Sequence, residues 1–185
     1  MAYRKEKIAL LTLAILGFLN ERPMHAYELK GHIAGLTGHV RPVSDGALYP
    51  AIKRLRTAGL LTSETVPGSG AAPKHVLSLT DAGRAELARR LREPQEVEIT
   101  DRNSFYVLLT FIGALHDPAE EARLLRRRLE FLDGAASYFY RDGKPLRSKD
   151  IEDRYRRGML RIASATRKSE REWLRETLDD LAAAE

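Results

Sequence analysis

The residues of this sequence best placed to do chemistry are cations. Lys53, Arg54 and Arg56 fall within four positions of one another, Tyr49 lies one helical turn earlier, and Ser44, Gly46 and Ala47 precede them as small residues. Cations at helical spacing behind a small-residue start suit a polyanion: the charges neutralise phosphates, and a helix N-terminus offers free N–H groups and the positive end of its dipole. A second set, Lys74 and His75, follows a glycine- and proline-rich stretch in which Gly68, Ser69 and Gly70 can track a groove without steric cost. Arg4, Lys5 and Lys7 add positive charge near the start. Any one of these side chains alone is ordinary solvated surface; taken as a set, they are read as a DNA-binding surface.

Other chemistries find little support. The chain has no cysteine, which removes disulfides, thiolate nucleophiles and cysteine-held zinc or iron–sulfur centres. His25, His32 and His39 repeat every seven residues, but on a helix that spacing separates neighbours by roughly 10.5 Å, too far to share an ion. No phosphate loop, nucleophile elbow or recognisable carboxylate pair occurs. The expectation is a protein that is no enzyme and carries no metal or cofactor.

Charge is distributed unevenly. Residues 1–93 carry 14 Lys and Arg against 8 Asp and Glu, a net of +6, whereas residues 94–185 carry 17 against 18, a net of −1. The basic excess belongs to the first half. At 185 residues, 43% hydrophobic and 31% charged, the chain is globular in composition and long enough for two small domains. The division is expected at 93/94, with the aperiodic segment Glu93 to Thr100 as the joint.

The elements that must position the cations follow from periodicity. Ile8, Leu11, Ile15 and Phe18, with Leu10, Leu13, Leu16 and Leu19 on a second face, predict a largely buried helix from Arg4 to Asn20. The basic start and apolar run imitate a signal peptide, but the run is too short to span a bilayer, and Asn20, Glu21 and Arg22 stand where small residues are needed. A cytoplasmic protein with no membrane association is expected. A second helix is predicted from His25 to Ala34, with Tyr27 or Leu29 and Ile33 inward. A third reaches Ala58 on the stripe Leu48, Ile52 and Leu55, closed by Gly59. Its start is open: Ser44 is a natural N-cap, yet Pro50 inside a helix removes a hydrogen bond, so a start at Tyr49 with Pro50 in the first turn fits equally. Leu60 to Val66 and Lys74 to Leu79 predict a β-hairpin, and Thr80 and Asp81 cap a fourth helix stopped by Pro94.

Beyond residue 100 everything reads as helical. Phe105, Leu108, Leu109, Ile112 and Leu115 mark one helix. Ala122, Leu125, Leu129, Leu132, Ala136 and Phe139 form a heptad seam of about two and a half repeats. After a turn at Asp142 to Pro145, a last helix from about Ser148 to Ala182 carries Ile151, Tyr155, Met159, Ile162, Trp173, Leu174, Leu178 and Leu181. Its middle, Ala163 to Glu172, is poor in large apolar residues, as for an exposed stretch or the lining of a cavity.

Three helices and a hairpin form the winged helix-turn-helix order, in which the third helix enters the major groove and the wing reaches the adjacent backbone. Four separated blocks then become specific: Met24-His25-Ala26-Tyr27-Glu28-Leu29; Gly46-Ala47-Leu48-Tyr49-Pro50; Leu55 with Gly59-Leu60-Leu61; and Leu79-Thr80-Asp81-Ala82-Gly83-Arg84. In order and spacing they resemble the PadR family of transcriptional regulators, over roughly residues 8 to 91. Two departures stand out: Ala26 where glycine is common, and Leu77 where the second wing strand usually has tyrosine.

The resemblance implies a third helix that starts before the tyrosine–proline pair, with Ser44 as N-cap. It also implies a C-terminal helical domain that dimerises and, in some members, senses a small molecule, commonly aromatic; Trp173, Tyr155 and Phe139, with Tyr138, are the residues here that suit such an effector. The fold class expected is mainly α with a small β-hairpin: a winged helix-turn-helix over 1–93 and a helical dimerisation and effector domain over 94–185. The function expected is a homodimeric repressor of double-stranded DNA at a pseudo-palindromic operator, with Ser44, Gly46, Ala47, Tyr49, Lys53, Arg54, Lys74 and His75 at the DNA. A winged-helix module that binds protein, or a DNA-binding regulator without an effector, are the alternatives.

Overall fold

The computed structural model describes residues 2–36, 43–66, 74–134, 139–141 and 143–183, with side chains left aside at 2–6 and 74. His39, the wing-tip residues Gly68, Ser69 and Gly70, and Ala136 and Tyr138 lie outside the described residues, as do the side chains of Arg4 and Lys5. The fold is mainly helical with a small antiparallel sheet. Packing divides it into two compact units, Met1–Asp117 and Pro118–Glu185.

The first unit is built on α1 (Ala2–Glu21). Every residue from Thr12 to Leu19 is buried, which is the pattern of a helix packed on all sides. Around it stand α2 (Ala26–Leu36), α3 (Asp45–Thr57) and α4 (Asp81–Arg92). Leu29 and Ile33 form the inward face of α2, while Tyr27 points to solvent at 85% exposure. The hairpin joins β2 (Leu61–Val66) to β3 (Lys74–Leu79), with Leu61 opposite Leu79 and Val66 opposite Lys74. A third strand was not expected: β1 (Met24–His25) pairs antiparallel with β3, Met24 opposite Leu77, giving the order β1-β3-β2. Two residues are too short for a periodic signal, so the helix predicted from His25 starts one residue later.

The turn after α3 explains two of the four sequence blocks. Gly59 adopts φ +72°, the left-handed C′ position. Its N–H donates to the Arg56 carbonyl and that of Leu60 to the Leu55 carbonyl, at 2.9 and 3.0 Å, which is a Schellman motif. Thr80 then fastens the turn to α4. Its hydroxyl donates to the Gly59 carbonyl and accepts from the Gly83 N–H, at 2.8 and 3.0 Å, and its own N–H reaches the Leu60 carbonyl at 3.1 Å. A Cβ on Gly83 would lie 2.2 Å from the Leu60 oxygen, so only glycine fits.

Beyond α4 the segment expected as an aperiodic joint contains α5 (Glu96–Thr100), begun by Glu98, whose carboxylate accepts from the Gln95 N–H at 2.7 Å. Then α6 (Arg102–Phe111) runs into a 3₁₀ turn at Ile112–Leu115. Phe111 meets Phe18 of α1 edge to face at 5.0 Å and covers Gly17, where a Cβ would come within 2.4 Å of the ring.

The second unit pairs α7 (Pro118–Asp133) with α8 (Arg154–Ala183). Two expectations are corrected. The heptad seam does not run on to Phe139, because α7 ends at Asp133 before Gly134; Ala122, Leu125 and Leu132 of that seam are buried within the protomer. The last helix begins at Arg154 rather than Ser148, after a separate 3₁₀ turn at Ser148–Asp150. Between α7 and α8, the hairpin of β4 (Tyr140–Arg141) and β5 (Lys144–Pro145) turns at Gly143, φ +73°.

The stretch of α8 poor in large apolar residues holds α7 through arginine chemistry. The Arg128 guanidinium is 2% exposed and donates to Glu170 at 2.7 Å, with Glu170 itself buried. Arg167 donates to the Leu132 and Gly134 carbonyls at 2.7 and 2.8 Å, satisfying oxygens that the end of α7 leaves without helical donors.

Candidate nucleic-acid interface

The third helix settles the proline question in favour of the longer reading: α3 starts at Asp45, and Pro50 lies inside it. Proline has no N–H to offer the Gly46 carbonyl one turn back, and that residue is exposed, where water can serve instead. Ser44 holds the N-cap position with extended backbone, and its carbonyl accepts from the Ala47 and Leu48 N–H groups at 3.0 Å. Its side chain makes no capping bond, contrary to what a capping serine would do, so the exposed hydroxyl is left to other uses.

One face of α3 is inward and the other is open. Leu48, Ala51, Ile52 and Leu55 are buried; Gly46, Ala47, Tyr49, Lys53, Arg54 and Arg56 are exposed. Pro50, Lys53, Arg54, Thr57 and Ala58 line a depression of about 430 Å³ on the outer side. The predicted residues of this helix therefore share one solvent-facing surface.

At the wing, Lys74 is the first residue of β3 and His75 is exposed beside Thr65, whose hydroxyl lies 3.3 Å from the imidazole Nδ1. The His75 carbonyl is 2.9 Å from His25 Nδ1, which joins the first strand to the wing. Leu77 is buried opposite Met24 and Ser63, so the residue that departs from the usual tyrosine serves the packing of the sheet.

An ion pair escaped sequence reasoning. Lys30 on α2 reaches Asp45 in the first turn of α3 at 2.7 Å, and this contact raises the lysine pKa above its ordinary value. Fifteen residues separate the two, and no local pattern announces such a pair. Nearby, Arg22, between α1 and β1, pairs with Glu28 of α2 and holds that carboxyl below the usual range. His32 stacks on Phe18 at 5.2 Å.

The three effector candidates are not brought together. Tyr155 and Trp173 both lie on α8, and eighteen residues of helix put them about 27 Å apart. Phe139 sits under the Arg156 guanidinium and Tyr155 under that of Arg154, at 6.0 and 5.2 Å from the ring centres. What α8 does present is an exposed apolar stripe, Tyr155, Met159 and Ile162, spaced four and three, with half-exposed Trp173 further along.

Residues 15–89 match the family model described as the transcriptional regulator PadR-like family. Within the chain, residues 15–89 belong to the PadR-like family, whose members are transcriptional regulators rather than enzymes. The negative transcriptional regulator PadR of Bacillus subtilis is 28% identical over 105 residues, which span 57% of this chain and 58% of that regulator. A solved protein of Thermoplasma acidophilum is 32% identical, covering 45% of this chain and 78% of its own, with a TM-score of 0.42. The Bacillus subtilis PadR solved with operator DNA is 22% identical, covering 92% and 98%, with a TM-score of 0.45. The PadR-like match takes in all four sequence blocks. Among the described residues no helix is long and apolar enough to cross a membrane.

Proposed function

We propose that this PadR-like protein is a sequence-specific DNA-binding repressor that works in the cytoplasm as a homodimer on a pseudo-palindromic operator. Residues 1–93 carry the DNA contacts and residues 94–185 the dimer. The observation that carries the reading is the single open face of α3, where Gly46, Ala47, Tyr49, Lys53 and Arg54 lie together above a buried apolar stripe. Such a helix meets base edges with its first turns and phosphates with its cations, while Ser44, Lys74 and His75 reach the flanking backbone. Repression is supported by the name of the 28%-identical regulator. Dimerisation is supported by the exposed stripe of α8, and a two-fold pair would set its recognition helices about 34 Å apart.

Gel-shift titration against DNA upstream of the protein's own gene tests this. Binding there far tighter than to random duplex at matched salt is expected; equal affinity refutes it. For a small aromatic effector, with Trp173, Tyr155 and Phe139 as its candidate residues, quenching of Trp173 fluorescence by a small aromatic acid, together with release of DNA, is the expected sign. Unchanged emission with DNA binding intact identifies a regulator without such a ligand.

A further inference from the structure

Asp45 is out of place on a surface that meets phosphates. The other charged residues exposed along α3, Lys53, Arg54 and Arg56, are all cations. Asp45 stands in the first turn with 64% of its side chain exposed, and Lys30, from a different helix, fixes one carboxylate oxygen at 2.7 Å. A carboxylate facing the DNA backbone is repelled, so it weakens binding to every sequence alike. It gains only against a hydrogen-bond donor.

In the major groove the donors on base edges are the exocyclic amino groups of cytosine and adenine, whereas guanine and thymine present acceptors there. The first turn of a recognition helix is the part that meets base edges. The neighbours Gly46 and Ala47 carry too little side chain to keep the backbone away.

We propose that Asp45 is a specificity-determining residue whose carboxylate, oriented by Lys30, accepts a hydrogen bond from the amino group of one base, cytosine N4 foremost, in each half-site. The proposal rests on the DNA-binding reading above. Lys30 is a positioning residue: it restricts the carboxylate and offsets part of its charge. An acid that merely favours the helix dipole would stabilise α3 without any preference among bases.

Selection of bound duplexes from a randomised pool, with the full-length protein, separates these cases. Wild type is expected to select a site with cytosine or adenine at one position per half-site. Asp45→Ala should lose that preference, by on the order of tenfold in relative affinity, while keeping the others and binding random duplex more tightly at matched salt. Lys30→Gln should blunt discrimination at the same position and no other. If Asp45→Ala selects the wild-type site unchanged, the proposal is overturned, whatever happens to overall affinity. If wild type selects no site, the DNA-binding reading itself fails and takes the proposal with it.

Discussion

Individual side chains carry the most direct consequences. Lys53 projects from the open face of α3, and removing its charge should weaken binding to all duplexes rather than to one sequence. Titrations of Lys53→Ala over a range of salt should show a log–log slope shallower by about 1 than wild type, since one fewer counterion is released. Glu98 is a different case. Burial is the main cause that raises its carboxyl pKa, opposed by the Gln95 N–H, which donates to it at 2.7 Å, and by Arg90. A raised pKa means that the folded state holds the proton more firmly than the unfolded chain does. The associated stability is therefore present at pH below the ordinary glutamate value and is lost as pH rises through the raised one. Melting of Glu98→Gln beside wild type should show the variant gaining relative stability as pH climbs from 4 to 7; a constant difference would refute this account.

At the scale of elements, the hydrogen bonds between α7 and α8 are ionic as well as numerous. Arg128 and Glu170 are both buried, so truncating only one leaves an uncompensated charge in the interior. Arg128→Met should cost about 3–5 kcal/mol in urea denaturation, whereas Arg128→Met with Glu170→Leu should recover most of it. This pairing was illegible in the sequence. The stretch Ala163 to Glu172 registers only as a gap in the apolar pattern, because periodicity counts hydrophobic residues and says nothing about which charges meet. The opposite holds for α3 and the wing. Their apolar stripe, glycine stop and β-branched strands are local signals, and the structure places β3 at the predicted residues and β2 one residue inside its predicted start. The two-residue β1 and the helical Pro50 exceed local signals, since tertiary pairing decides the first and an exposed Gly46 carbonyl tolerates the second.

For the molecule as a whole, the proposed reading gives the basic half the DNA and the near-neutral half the dimer, with the exposed stripe of α8 where a second copy is expected. The sequence contains this stripe at Tyr155, Met159 and Ile162, but the seam on α7 is stronger in apolar content and draws attention first; it is the one that burial removes from service. Ile162 is 70% exposed, so Ile162→Glu should leave the protomer folded while light scattering after gel filtration shows the mass falling from dimer to monomer. A mass unchanged from wild type would move the dimer surface elsewhere. The Schellman turn at Gly59, tied by Thr80 to the start of α4, has a further consequence. The amide protons of Leu60, Thr80 and Gly83 are engaged in bonds that join the recognition helix, the wing and α4 at one point, with no room for an added methyl. Exchange at them is expected to need the three elements to part together, so deuterium should reach them only when the first unit unfolds as a body.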